Sequence, residues 1–329
     1  MGTTRNVARL VLGLCLAAAC TDGGALSPTA VPTAAPPSAT PTALATVGPT
    51  ASPTPPAVAT CAGTDLHWSE LPQAVRAYAV AWNERDDTTR LSLLEEALEE
   101  DGSYVNPLLD RPLVGPEAVA ANIDAFLEGR VGQDFEVRAR SQTDHHHDRM
   151  RLRWRLCDAG GQTLLEGEDI IELASDGRIR TVTGFFDDAA NSASTAVLCT
   201  GDDLLWPELP PAARAYALTW LESDHGGRLA LLEEFMTDDG SFVDPEMNGP
   251  AVGREAVSAR IGEFLSSHPE TYFKMRAWTP ADEHHLHVRL RWILCDFRTL
   301  RVVLQGAEIG ELEADGRIRE VVRFDDDLP

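Results

Sequence analysis

The sequence is short of positive charge and has no hydrophobic run long enough to span a bilayer. Lysine and arginine number 28 against 52 aspartates and glutamates, a formal net charge of −24, and Lys274 is the only lysine. Such an acidic surface repels phosphate backbones and anionic lipid headgroups. The first apolar run, residues 10–19, is about half the length that a membrane-spanning helix needs. We therefore expect no nucleic-acid partner and no electrostatic binding of the folded protein to a membrane.

Cysteine is scarce, and its spacing matches no metal-binding motif. The six cysteines include no Cys-x-x-Cys pair, a spacing that zinc sites commonly use. Two histidine pairs with i, i+2 spacing, His145/His147 and His285/His287, stand next to arginines that would oppose a bound cation. We therefore expect no metal ion and no cofactor.

Residues 1–20, MGTTRNVARLVLGLCLAAAC, are typical of an export signal, with two arginines before a short apolar run and small residues before Cys20. The end of this segment resembles the lipobox of bacterial lipoproteins, although Ala17 stands where leucine is more usual. The resemblance implies that Cys20 is acylated, so we expect an exported protein anchored in the cell envelope by lipid alone. Thr21 rather than aspartate follows the cysteine, which favours the outer membrane; simple secretion is the alternative.

Residues 21–60 are predicted to be a disordered tether. From Ala25 to Thr60 the chain is almost entirely alanine, proline, threonine, serine and valine, without a charge or an aromatic residue. Such a composition cannot bury enough apolar surface to offset the entropy of ordering, and its prolines keep the chain extended. The folded part is therefore expected to stand away from a membrane surface on a spacer.

The rest of the chain consists of two copies of one domain sequence. Residues 61–188 and 199–329 repeat each other across a linker, 189–198, with an offset of 138 positions that becomes 139 after Cys157. A period this long indicates a duplicated domain rather than a solenoid. The matching residues are Cys61, Trp68, Tyr78, Trp82, Gly102, Pro107, Gly115, Trp154 and Cys157, which recur as Cys199, Trp206, Tyr216, Trp220, Gly240, Pro245, Gly253, Trp292 and Cys295.

Four cysteines remain after the signal, and each repeat contains two of them, 96 positions apart. An even number of cysteines in an exported chain predicts disulfides. Of the three connectivities, only Cys61–Cys157 with Cys199–Cys295 gives both repeats the same internal bridge.

Each repeat begins with helical patterns and ends with strand patterns. In the first repeat, residues 71–85, 88–100 and 115–129 have apolar residues at helical spacing, and a short strand is predicted at 102–107. Longer strands are predicted at 135–142, 146–157, 163–174 and 178–187. Helices followed by a run of antiparallel strands indicate an α+β fold in which the helices pack on one face of the sheet.

Four short motifs in this order resemble the nuclear transport factor 2-like superfamily, which includes SnoaL-like cyclases and ketosteroid isomerases. The motifs are "YAVAWNERD"/"YALTWLESD", "DGSYVNP"/"DGSFVDP", a glycine before the third helix, and the closing "DGRI…V…FD". The resemblance covers both repeats. It implies two tandem cone-shaped domains, each with three helices packed on a curved antiparallel sheet.

Strand alternation predicts which side chains face the inside of each cone. In 146–157, Met150, Leu152, Trp154 and Leu156 share one face, and four arginines share the other. We expect the arginine face to meet neighbouring carboxylates or the sister domain. The same alternation places His146 and His284 on the apolar face.

Several polar side chains are expected to point into the cones. Asp169 and Glu308 alternate with apolar residues, so burial should raise the pKa of each carboxyl group. The predicted pocket residues are Tyr78, Tyr104, Asn106, His146, Asp169 and Phe242. By resemblance to ketosteroid isomerases, Asp244 matches the general base, Asp169 and Glu308 match the acid of the oxyanion hole, and Tyr78 and Tyr216 match the phenol donor. The first repeat has Asn106 instead of the base, so the second repeat is the better enzyme candidate, with Asp244, Glu308, Tyr216 and His284 as its catalytic set.

Three functions agree with this pattern. The leading hypothesis is a tethered module that binds a small apolar or amphipathic ligand, because such a module needs only an apolar cavity with a few polar groups. The first alternative is an acid–base enzyme, such as an isomerase, cyclase or dehydratase, acting in the second repeat. The second alternative is a non-catalytic surface scaffold in which the two domains pair with each other or the chain dimerises.

Overall fold

The computed structural model describes residues 68–137, 144–187, 199, 210–275 and 282–326. We call 61–188 domain 1 and 199–329 domain 2, and both lie in one compact unit. Within the described ranges of domain 1 there are a short 3₁₀ helix, Trp68–Glu70, and three α-helices: α1 (Gln73–Ala81), α2 (Asp87–Ala97) and α3 (Pro116–Leu127). The matching helices of domain 2 are α4 (Pro211–Thr219), α5 (His225–Phe235) and α6 (Arg254–Ser267).

Each domain contains one seven-stranded sheet. The strands of domain 1 are β1 (Leu98–Val105), β2 (Leu113–Val114), β3 (Asp134–Val137), β4 (His145–His146), β5 (Arg149–Cys157), β6 (Thr163–Leu173) and β7 (Ile179–Asp187). Those of domain 2 are β8 (Met236–Val243), β9 (Ala251–Val252), β10 (Thr271–Met275), β11 (Glu283–His284), β12 (His287–Asp296), β13 (Val302–Leu312) and β14 (Ile318–Asp326).

The two sheets have the same strand order. It runs β2-β1-β7-β6-β5-β3 in domain 1 and β9-β8-β14-β13-β12-β10 in domain 2, with β4 and β11 beside β5 and β12. All pairs are antiparallel except β1 with β7 and β8 with β14, which are parallel. The predicted α+β architecture of tandem domains, with three helices each, is confirmed; the parallel pairs depart from the all-antiparallel sheet we expected.

Local sequence sets the helix ends. Asp86 and Asp224 cap α2 and α5, accepting hydrogen bonds from the backbone N–H groups of Thr89 (2.9 Å) and Gly227 (2.8 Å). Gly115 precedes α3 with φ of +85°, a conformation that glycine adopts without steric cost. The predicted helix over 88–100 ends earlier, at Ala97, because Leu98 already pairs with Ile179 of β7. The strand predicted at 102–107 is correspondingly longer at its start.

Both domains have an apolar core between helices and sheet. In domain 1 this core includes Met150 and Leu152, as strand alternation predicted, together with residues of α1, α2 and α3. In domain 2 the corresponding core includes Val288, Leu290, Trp292 and Leu294, which match Met150, Leu152, Trp154 and Leu156 of domain 1. Among the residues that the structure describes, no helix has the length and apolar character of a membrane span.

The disulfide prediction is confirmed for domain 2, where Cys199 and Cys295 are bonded with a Cα–Cα distance of 5.7 Å. Cys157 of domain 1 is disulfide-bonded as well. Its predicted partner, Cys61, lies outside the described residues, as do the signal, Cys20, the tether and the linker.

The outer faces of the two sheets pack against each other, so these faces are buried rather than solvated. Six apolar residues form the centre of this contact: Ile170, Phe185, Val243, Ile309, Val322 and Phe324. Arg151 pairs with Asp144 of its own domain and with Asp326 of the other, at 2.8 Å for the second pair. Arg289 repeats the arrangement with Asp282 at 2.6 Å and Asp187 at 3.0 Å.

Glu168 lies between Arg151 and Arg289 and connects their two sets of ion pairs. It accepts a hydrogen bond from Arg289 at 2.9 Å and lies 4.0 Å from Arg151. Burial alone would raise the pKa of Glu168, but the charges of Arg289 and Arg151 lower it to about 2. The arginines therefore meet both neighbouring carboxylates and the sister domain.

Candidate functional site

A cavity of about 630 Å³ occupies the inside of domain 1 between α1, α3 and the sheet. Its walls are mostly apolar, and two exposed side chains, Leu108 and Val80, lie at its edge with 76% and 41% of their surface accessible. The aromatic part of the wall consists of Trp82, Phe126, Phe135, Trp154 and Phe186. This size and lining are typical of a site for a small organic molecule.

A buried carboxyl group forms the polar centre of the cavity. Asp169 accepts hydrogen bonds from the hydroxyl of Tyr78 at 2.7 Å and from the indole N–H of Trp154 at 3.0 Å. Burial raises the pKa of Asp169 to about 6, although these two hydrogen bonds lower it. Burial likewise raises the pKa of Tyr78 well above its ordinary value. Tyr78 therefore remains a phenol and keeps donating to the carboxylate.

Asn106 and Tyr104 form a second polar group in the cavity, and the hydroxyl of Tyr104 is a hydrogen-bond donor that this group leaves available. The side-chain oxygen of Asn106 accepts the backbone N–H of Leu108 at 2.9 Å, which fixes the orientation of the amide. The amide nitrogen of Asn106 then donates to the hydroxyl of Tyr104 at 2.8 Å. Because Tyr104 accepts this bond, its own proton remains available to a ligand.

Gly184 lies beside the polar centre of the cavity. A β-carbon at this position would lie 3.0 Å from Asp169 Oδ1 and 3.7 Å from the hydroxyl of Tyr104. Gly184 is paired with Asp169 across strands β6 and β7. The corresponding pair in domain 2 is Arg323 with Glu308.

Arg323 fills the inside of domain 2. Its guanidinium carbon lies 3.8 Å from the ring centre of Trp292, 4.3 Å from that of Phe264 and 5.5 Å from that of Trp220. These rings correspond to Trp154, Phe126 and Trp82, which line the cavity of domain 1. The substitution of arginine for glycine therefore puts a cation–π stack where domain 1 has open space.

The four residues predicted as catalytic do not form one open site in domain 2. Asp244 is buried and ion-paired with Arg260 at 2.6 Å, so its charge is already neutralised. Glu308 and Tyr216 are fully buried in the filled core beside Arg323. Burial raises the pKa of Glu308 to about 8, although the charge of Arg323 lowers it. Phe242 packs in the same core against Trp220.

The prediction that His146 and His284 face the cones is wrong. His146 lies against Phe324 of the other domain and is bonded to the carbonyl oxygen of Arg323 at 2.8 Å; His284 lies against Phe185. Alternation was counted through 146–157 as one strand, but the chain turns at His147, whose φ is +55°, and His146 pairs with Arg149. Both histidines therefore share the arginine face. Burial lowers the pKa of His284 to about 4.

Several similar structures are known. A proposed isomerase of the SnoaL-like family from Agrobacterium tumefaciens is 33% identical, covering 35% of this chain and 95% of that one, with a TM-score of 0.32. The chain belongs to the SnoaL-like family. A nuclear transport factor 2-like protein of unknown function from an Exiguobacterium species is 20% identical over 35% of this chain and 99% of that one, with a TM-score of 0.29. No protein-family model and no curated protein matches the sequence.

Four of the six predicted pocket residues of this SnoaL-like protein line the cavity of domain 1, namely Tyr78, Tyr104, Asn106 and Asp169. Sequence reasoning missed Gly184 and Arg323, which decide that one cone is open and the other filled. The offset of 139 between the repeats aligns these two positions, so the signal was present in the sequence. Within the described ranges, no group of three or more His, Cys, Asp and Glu side chains is arranged to hold a metal ion.

Proposed function

We propose that domain 1 binds a small, mostly apolar molecule that carries a hydrogen-bond acceptor, and that the inside of the domain 2 cone is filled and takes no such ligand. The cavity of about 630 Å³ in domain 1, with apolar walls around Tyr104 and Asp169, is the observation that carries this proposal. The ligand acceptor meets the free hydroxyl proton of Tyr104, and the ligand body replaces water on the aromatic walls. A ligand with a negative charge is disfavoured by the carboxylate of Asp169.

An acid–base enzyme in domain 2 has less support. The candidate base, Asp244, is held by Arg260, and Arg323 occupies the space in which a substrate would have to lie. His284 lies on the contact between the domains. The filled core instead supports a structural role for domain 2, as a partner whose sheet covers the sheet of domain 1.

The hydroxyl of Tyr104 is tested by binding of prodan, a neutral naphthalene ketone whose fluorescence rises in apolar sites. Titration of the full chain should show saturable binding, and Tyr104→Phe should weaken it about five- to tenfold, the value of one hydrogen bond. Tyr216→Phe, a matched change in the filled domain, should leave the affinity as it was. Equal affinities of the natural protein and Tyr104→Phe would remove the proposed role of this hydroxyl.

We also propose that the protein is exported and anchored through an acylated Cys20. The disulfide between Cys199 and Cys295 supports this, because such bonds persist in oxidising compartments. When the full chain is expressed in bacteria with labelled palmitate, the natural protein should carry label and sediment with membranes. Cys20→Ser should abolish both results, and Cys15→Ser should abolish neither. Label retained in Cys20→Ser would contradict this assignment.

A further inference from the structure

A second cleft, of about 590 Å³, lies on the helical side of domain 2, where Trp220 and Phe273 of the core form part of its wall. It is bordered by α5, α6 and β10 and has both charged and aromatic walls. Tyr216, Asp244 and Glu308 do not line it. The residues that matter here are His225, Arg228, Gly262, Tyr272 and Phe297.

Arg228 brings a buried positive charge to this cleft without a carboxylate partner among the described residues. Only 5% of its surface is accessible. Its Nη1 donates to the carbonyl oxygens of Glu222 at 3.0 Å and Ser223 at 2.9 Å, and its Nε donates to that of Ser258 at 3.2 Å. Within the part of the chain that the structure describes, Nη2 has no hydrogen-bond partner. Carbonyl dipoles satisfy donors but do not cancel a full charge.

The corresponding arginine of domain 1 has carboxylate partners that Arg228 does not have among the described residues. The corresponding residue, Arg90, is also buried, but its Nη2 pairs with Asp87 at 2.5 Å and with Asp124 at 3.0 Å. The positions of these two carboxylates are occupied in domain 2 by His225 and Gly262. A β-carbon at Gly262 would overlap Arg228 Nη2, so the guanidinium lies over the glycine, on the wall of the cleft.

The neighbouring charged groups already have other partners. His225 is bonded to Ser258 and Glu255, each at 3.0 Å. The two glutamates of the cleft wall, Glu263 and Glu270, are paired with Arg260 and Arg298. The positive charge of Arg228 is therefore the one left to an outside anion within the described part of this cleft.

We propose that this cleft binds a small organic carboxylate with an aromatic or otherwise apolar body. A single unpaired arginine in a protein with net charge −24 matches one negative charge rather than a phosphate dianion. The apolar body lies on Tyr272 and Phe297, whose rings are 4.8 Å apart, and Phe297 is 59% exposed. This site is independent of the cavity in domain 1, where Asp169 opposes a carboxylate.

Calorimetric titration of the full chain with 2-naphthoate and with its uncharged analogue 2-naphthamide tests the proposal. Naphthoate should bind at least tenfold more tightly than naphthamide. Gly262→Asp displaces the guanidinium of Arg228 from residue 262 and gives it a carboxylate partner like the one that Arg90 has in Asp124. It should weaken naphthoate binding at least tenfold, and thermal unfolding checks that the variant is folded. Gly249→Asp adds the same charge at a turn where a β-carbon meets no other atom, and should keep the natural affinity.

Three results would overturn the carboxylate site. They are no measurable naphthoate binding by the natural protein, equal affinity for acid and amide, and natural affinity in a folded Gly262→Asp variant. If Gly262→Asp fails to fold, His225→Asp restores the other carboxylate of domain 1 and serves the same comparison. Prodan binding in domain 1 should not change in either variant, which separates failure of this site from failure of the cavity.

Discussion

Gly184→Arg should abolish ligand binding by domain 1, lowering the affinity for prodan at least a hundredfold. The new side chain would start 3.0 Å from Asp169 Oδ1 and enter the cavity between Trp82, Phe126 and Trp154. Domain 2 contains this arrangement already, because Arg323 stacks on the three matching rings. In domain 2 the guanidinium of Arg323 pairs with Asp325 at 2.8 Å, and Phe186 stands at that position in domain 1. The counter-charge in the variant must therefore come from Asp169. Fluorescence titration measures the affinity, and thermal unfolding checks the fold.

Two further variants, a smaller side chain at position 184 and an arginine placed elsewhere, serve as controls for Gly184→Arg. Gly184→Ala adds one methyl group beside Asp169 and should weaken binding much less than arginine does, because most of the cavity stays open. Val252→Arg introduces the same residue at an exposed strand position of domain 2 and should leave binding unchanged. If folded Gly184→Arg binds prodan as well as the natural protein does, the ligand does not occupy this cavity.

Glu308→Gln should stabilise the protein, increasingly so as the pH rises. Burial raises the pKa of Glu308 in the folded protein to about 8, against an ordinary value of 4.5. The folded carboxyl group holds its proton more tightly than the unfolded one, so its contribution to stability is complete below pH 4.5 and is lost as the pH rises through 8. Glutamine has no such proton to lose. Its advantage in the free energy of unfolding should grow by about 3 kcal/mol between pH 5.5 and pH 9.

Urea denaturation at several pH values measures this difference. Glu233→Gln, which changes an exposed carboxyl group on α5, provides the matched control and should give a nearly constant difference across the same range. Glu168→Gln should act in the opposite direction, because the charges of Arg289 and Arg151 lower the pKa of Glu168 to about 2. That carboxylate stabilises the protein above pH 4.5, so its removal should be destabilising there. A stability difference for Glu308→Gln that does not change with pH would show that Glu308 is ionised in the fold.

The sequence allowed much of the fold to be predicted because the repeat and the strand alternation are local patterns. Leu152 and Trp154 are buried as the alternation predicted, and Cys199 and Cys295 are joined as the repeat predicted. The same reasoning failed for His146, because one turn residue with positive φ changes the face of every residue before it. Asp169 was recognised as an inward carboxyl group from its apolar neighbours, but its partners lie on other elements, Trp154 on the neighbouring strand and Tyr78 on a helix 91 positions away.

By itself, the sequence determined that this protein is an acidic chain with two copies of an α+β domain. Its composition, the offset between the repeats and the alternation of apolar residues in the strands can all be read from the order of residues. Only the tertiary structure decided which of the two cones is open. Gly184 and Arg323 are equivalent in sequence, and nothing local distinguishes an arginine that points to solvent from one stacked on three rings. The same holds in part for Arg90 and Arg228. Asp87 or His225 stands three positions before the arginine, but Asp124 or Gly262 comes from a helix far along the chain. Electrostatic pairing depends on distance in space, and folding alone sets that distance.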